Sequence, residues 1–194
     1  MGALLGISRA IDWVNDKVGK IVYWLVLASV VVSSGNAVVR YALSESSNKW
    51  LELQWYMFSA VFLLCAGYTL LNNQHIRIDI VNHRLSPRSR NLIDVIGHVF
   101  FLIPLCILLL SEGWPYFWDA YQSGEMSSNA GGLIRWPARF LIVAGFALLL
   151  AQAFSELIKR IAVMMGRIPD PYADKEESDK SLLPTLERDA TAKE

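Results

Sequence analysis

The apolar residues of this chain lie in long uninterrupted blocks. Ile21 to Val39 holds no charge between Lys20 and Arg40, and Leu53 to Gln74 holds none. Val95 to Ser111 lacks Asp, Glu, Lys and Arg and has His98 as its one histidine. The fourth block, Phe140 to Ser155, is bounded by Arg139 and Glu156, whose side chains can snorkel to an interface. A bilayer's hydrocarbon layer is about 30 Å thick and takes roughly 20 predominantly apolar residues to cross as a helix. Backbone polar groups in hydrocarbon must satisfy one another, so each block predicts a helix. With Leu92–Ile93 and Trp136–Pro137 extending the shorter blocks, the spans read as about 21–42, 51–73, 91–112 and 136–160. The fold class is an all-α integral membrane protein with four transmembrane helices.

Between and around the blocks the pattern changes. In residues 1–20, Leu4, Ile7, Ile11, Val14 and Val18 recur at spacings of three and four, with Arg9, Asp12, Asp16 and Lys17 largely elsewhere on the wheel. That pattern predicts an amphipathic interfacial helix on the cytoplasmic membrane surface, with a loosely ordered tail as the alternative. The apolar block that follows is too long for a signal h-region and has no A-x-A-like cleavage site after it. Ser86-Pro87 reads as a helix start, and Pro104 predicts a kink in span three. Trp114, Tyr116, Phe117, Trp118 and Tyr121 extend that helix into an aromatic interface. Ser127 to Gly132 reads as a flexible turn, and the charged stretch 166–194 as a disordered cytoplasmic tail.

Composition supports this division. The chain of 194 residues is 54% hydrophobic and 19% charged, whereas soluble domains carry about 25% charged residues. Zero formal net charge argues against nucleic-acid binding, which needs a basic surface. Charge position then gives orientation. Arg9, Lys17 and Lys20 precede span one, Arg77, Arg84, Arg88 and Arg90 join spans two and three, and Lys159, Arg160 and Arg167 follow span four. The other two loops are poorer in cations or balanced by Glu112, Asp119 and Glu125. The positive-inside rule therefore places both termini in the cytoplasm.

Little in the spans carries chemistry. An ionisable group deep in a membrane is a functional candidate because its charge is costly there. His98 lacks the second mid-span histidine that haem ligation would require, so it reads as a packing residue. Glu52 sits where span two begins, with its charge expected to reach water. Cys65 and Cys106 lie in spans and read as small packing residues, with no disulfide or metal site. Ser29, Ser33, Ser34, Gly35 and Asn36 predict a close helix–helix interface, within the chain or with a partner. Asn73 to Ile80 sets His75, Arg77 and Asp79 to one side if extended, as an interfacial anchor or a partner contact. No catalytic residue, cofactor site or metal site is expected, and the chain reads as a non-enzyme.

Several motifs resemble the small membrane subunit of TRAP (tripartite ATP-independent periplasmic) transporters, the DctQ-like or Q subunit. These are Asn36-Ala37-Val38-Val39-Arg40-Tyr41, Trp50-Leu51-Glu52, Asn72 to Asp79, Gly124-Glu125-Met126-Ser127, Trp136-Pro137 and Gly145-Phe146. The resemblance covers most of Ile21 to Met165. Gly113 to Tyr116 with Gly131-Gly132-Leu133 is similar to a branch labelled for mannitol or chloroaromatic compounds, a label that transfers poorly. The resemblance implies a Gram-negative inner-membrane location and a non-catalytic role. In that family a large M subunit carries the sodium-coupled elevator, and a periplasmic substrate-binding protein delivers a small, usually carboxylated solute. The resemblance then makes Ser33, Asn36 and Trp55, with His75, Arg77 and Asp79, candidates for the partner interface. Arg40, Glu45, Lys49, Glu125 and Arg135 become candidates for periplasmic docking through complementary charge. Two other classes compete: a self-sufficient small channel or exporter acting as an oligomer, and a membrane anchor of a redox complex, which the scarcity of span histidines disfavours.

Overall fold

A charge-free block has no way to satisfy its backbone in lipid except as a helix, and all four blocks are helical in the computed structural model. The structure describes residues 2–43, 47–72 and 87–169. Helix α1 is Gly2–Leu43, α2 is Asn48–Leu71 and α3 is Pro87–Gly97. A π-helical turn, His98–Leu102, joins α3 to α4, Ile103–Ser123, and α5 is Trp136–Met164. Among the described residues, four helical stretches are long and apolar enough to cross a membrane.

Two expectations about helix three are met and refined. Pro87 is the first helical residue, and the helix runs through Trp114 to Tyr121 until Gly124, at φ 61°, takes the left-handed conformation that ends it. At Pro104 the missing N–H removes one ladder bond. The π turn lies immediately before it, and such a wide turn makes room for the ring within the helix.

Helix α1 differs from expectation. The amphipathic segment 1–20 and the first span are one unbroken helix of 42 residues, about 63 Å at 1.5 Å per residue. The buried stripe of its first half is also unexpected. Ser8, Asn15, Gly19 and Val22 point into the protein, whereas Leu4, Ile7 and Val14 remain exposed. The physical reason lies across the interface, where polar side chains on α5 match the polar stripe.

Helix α5 is the hub. It packs on α1 and α2, on α3 and on α4, while α1 also packs along α2. Leu70, Cys106, Leu149 and Ala153 form a core cluster from α2, α4 and α5, so the expected packing role of Cys106 is met. Gly145 permits a close α2–α5 approach: a Cβ there would lie 2.8 Å from the Leu63 carbonyl oxygen. Aromatic rings tie α4 to the start of α5, with Phe117 against Phe140 and Tyr121 edge-on to Trp136.

Candidate functional site: a latched loop and two polar clusters

The loop joining α4 to α5 has its own hydrogen-bonded frame. Met126 and Ile134 pair as an antiparallel bridge, the Ser127 N–H donates to Leu133 O at 2.9 Å, and the Arg135 N–H donates to Glu125 O at 2.9 Å. The run Ser127 to Gly132, expected to be a flexible turn, is therefore tied down. Its main anchor is Glu52, in the second turn of α2 and only 4% exposed. The Ser127 hydroxyl donates to Glu52 Oε1, as does Asn129 Nδ2 at 2.8 Å, and the Leu133 N–H donates to Oε2 at 2.6 Å. A Cβ on Gly132 would come within 2.8–2.9 Å of both carboxylate oxygens, so glycine is what lets the loop close over Glu52. The expectation that Glu52 reaches water is thus corrected: a buried carboxylate must be hydrogen-bonded, and the loop supplies the donors.

Beside this latch is a charged cluster. Glu125 accepts from Arg135 Nη1 at 3.0 Å and from Arg139 Nη2 at 2.6 Å. Arg139 also donates to Tyr116 O at 3.0 Å, and its guanidinium sits 3.9 Å from the Tyr116 ring centroid, within cation–π range. Arg139, expected only to bound span four and snorkel to an interface, is thus the central cation of this cluster. A cleft of about 260 Å³ opens here, with Trp55 and Tyr56 on one wall and Arg135 and Arg139 on the other.

A second polar cluster lies at the end of the molecule that carries the start of α1 and the end of α5. Gln152, 0% exposed, accepts from Asn15 Nδ2 at 2.9 Å and donates to Asp12 at 2.8 Å and Glu156 at 3.1 Å. Ser155 donates to Asp12 at 2.7 Å and shares a 2.7 Å hydrogen bond with Ser8. Lys159 pairs with Asp12 at 3.2 Å and with Glu156. Glu156 was expected to snorkel outward; it is instead 4% exposed because Gln152 and Lys159 satisfy it inside. Arg160, 1% exposed, bonds to Asn91 at 3.2 Å and approaches Asp94 at 3.5 Å, so it joins α5 to α3. His98 Nδ1 sits 2.5 Å from Asp94 O, in keeping with a packing role. Glu52, Glu156 and Arg160 are buried, near helix ends, each with partners.

The sequence-derived candidates fall into three groups. Glu125 and Arg135 come together, but with each other. Arg40 and Lys49 are exposed, and Trp55 is 63% exposed on the cleft wall. Of the small polar run in α1, Ser29 is buried while Ser33, Ser34 and Gly35 are exposed, and nothing lies within 4 Å of a Cβ added to Gly35. Asn36 lines a separate groove of about 300 Å³ with Val32, Val39 and Trp50. His75, Arg77, Asp79 and Glu45 lie outside the described residues, as does the tail beyond residue 169. Among the described residues no cluster of His, Cys, Asp and Glu is arranged to hold a metal ion.

Comparison with known proteins identifies one family. A family model described as "Tripartite ATP-independent periplasmic transporters, DctQ component" matches residues 29–163. No curated protein and no solved structure matches the chain.

Proposed function

The chain belongs to the DctQ component family of tripartite ATP-independent periplasmic transporters, and from that premise we propose that it is the small, non-catalytic permease subunit of a sodium-coupled importer. It packs beside the large M subunit in a Gram-negative inner membrane, with both termini cytoplasmic, and enlarges the scaffold against which the large subunit moves. A periplasmic binding protein delivers a small organic acid or related solute to the complex.

The observation that carries this reading is the uncovered outer half of α1. Burial within the chain stops at Ser29, and beyond it Val30, Val31, Val38, Val39 and Tyr41 are exposed around Ser33, Ser34 and Gly35. Lipid could cover the apolar side chains, but small residues favour close approach of another helix backbone. That points to the large subunit. The charged clusters support a scaffold, since internal partners hold their members in place. Arg40 and Lys49, both exposed, flank the connection between α1 and α2 and are cations available to steer a soluble partner.

Deletion in cells tests the proposal. Removing this chain in frame should abolish uptake by its transporter, and supplying it in trans should restore uptake. Wild-type uptake with only the large subunit and the binding protein present overturns the assignment.

A further inference from the structure

Asn48, Glu52 and Tyr56 stand four residues apart, on one face of α2, and all three hold the loop between α4 and α5. Asn48 Nδ2 donates to Ala130 O at 3.0 Å, and the Tyr56 hydroxyl donates to Ile134 O at 3.1 Å. Between them Glu52 collects donors from Ser127, Asn129 and Leu133. The cleft of about 260 Å³ beside this loop is therefore preformed. Its depth in the membrane can be read from the sequence. The charge-free block of α2 starts at Leu53 and the apolar block of α5 at Phe140, so Trp55, Tyr56 and Arg139 on the cleft walls stand where both blocks end. Trp114, Trp118 and Tyr121, stacked in series at about the same level, continue an aromatic belt. Such belts mark the depth of the lipid headgroups.

The donors of this cleft are only partly used. Among the described residues, Arg139 spends two of its five N–H groups, on Tyr116 O and Glu125, and Arg135 spends two, on Glu125 and on Ser128 at 3.4 Å. Two guanidiniums against the single carboxylate on their wall leave one positive charge there. Glu52 balances it only from beneath the loop, where both its oxygens are taken by loop donors. The amino-terminal end of α5 adds to the positive field, with no acidic residue in its first turn and no side-chain cap. We propose that this cleft binds the phosphate of a membrane phospholipid, with Arg135 and Arg139 as donors and Trp55 and Tyr116 flanking the headgroup. A phosphodiester offers only acceptors and takes arginine in a fork, which matches the unspent N–H groups. The site is independent of which solute the transporter carries.

The test uses the complex of this chain with its large subunit, stripped of lipid in detergent and titrated with phosphatidylglycerol under native mass spectrometry. The unsubstituted complex should retain a tightly bound phosphatidylglycerol, and Arg135→Gln and Arg139→Gln should each weaken it about tenfold by removing charge-assisted hydrogen bonds. Glu125→Gln acts with the opposite sign: it raises the positive surplus and frees donors, so binding should hold or tighten. A merely structural cluster would lose binding in all three variants alike. Diacylglycerol of the same chains, which lacks the phosphate, should bind weakly and without regard to the arginines. If Arg139→Gln impairs assembly, the half-exposed Arg135 and Glu125 carry the test through their opposite signs. Absence of tight lipid from the unsubstituted complex, unchanged affinity in the arginine variants, or weaker binding in Glu125→Gln overturns the proposal. Displacement of the lipid by millimolar glycerol phosphate would assign the cleft to a soluble phosphate ester and overturn the lipid as its occupant.

Discussion

Asp12, near the start of α1, and Lys159, near the end of α5, meet at 3.2 Å although 147 residues separate them. Their contact closes a polar network centred on Gln152, and it fixes which face of α1 turns inward. That face is the polar one. The apolar positions Leu4, Ile7 and Val14 are left outside.

Gln152→Ala should therefore be among the costly substitutions in the protein. It removes buried hydrogen bonds to Asn15, Asp12 and Glu156, each worth about 0.5–3 kcal/mol, although Asn15 keeps Ile11 O and Glu156 keeps Lys159. Thermal unfolding in detergent should show a clear drop. Lys20→Ala, which removes an exposed i,i+4 pair with Asp16, should leave the transition unmoved. Equal effects would mean that the network contributes no more than a surface pair.

Two glycines inside helices should behave differently. At Gly145 an added Cβ lies 2.8 Å from Leu63, so Gly145→Ala must push α2 from α5 at a cost of about 1–3 kcal/mol. At Gly113 the nearest atom is 3.6 Å away, an ordinary contact, and alanine there gains helix propensity. Unfolding midpoints should fall for the first and hold or rise for the second.

Continuity of α1 can be measured directly. Spin labels at Leu4 and Val38, both exposed, are separated by 34 helical steps, or about 51 Å along a straight helix. Pulsed dipolar spectroscopy in nanodiscs should return a distance near that value. A right-angle bend that lays residues 1–20 along the membrane surface would shorten it to about 36 Å.

The four spans, the long third helix and the family were legible in the sequence, because uninterrupted apolar blocks leave the backbone no other choice in lipid. The polar stripe of α1 was not. Periodicity names an apolar face but is silent on whether that face meets the protein or the bilayer. In a membrane protein the usual inference inverts: Ser8, Asp12 and Asn15 turn inward because Gln152, Ser155 and Lys159 wait there. Glu52 was misread for a related reason. Its partners stand 75 to 81 residues away in a loop whose glycines and serines read as flexible. The spacing of Asn48, Glu52 and Tyr56 was the one local signal, and it becomes informative only once the loop lies over that face.

The central claim is that this chain works as one part of a larger permease. Affinity purification from native membranes in mild detergent, followed by native mass spectrometry, tests it most directly. The account predicts this chain bound to a large polytopic subunit. A homogeneous oligomer of this chain alone would contradict it.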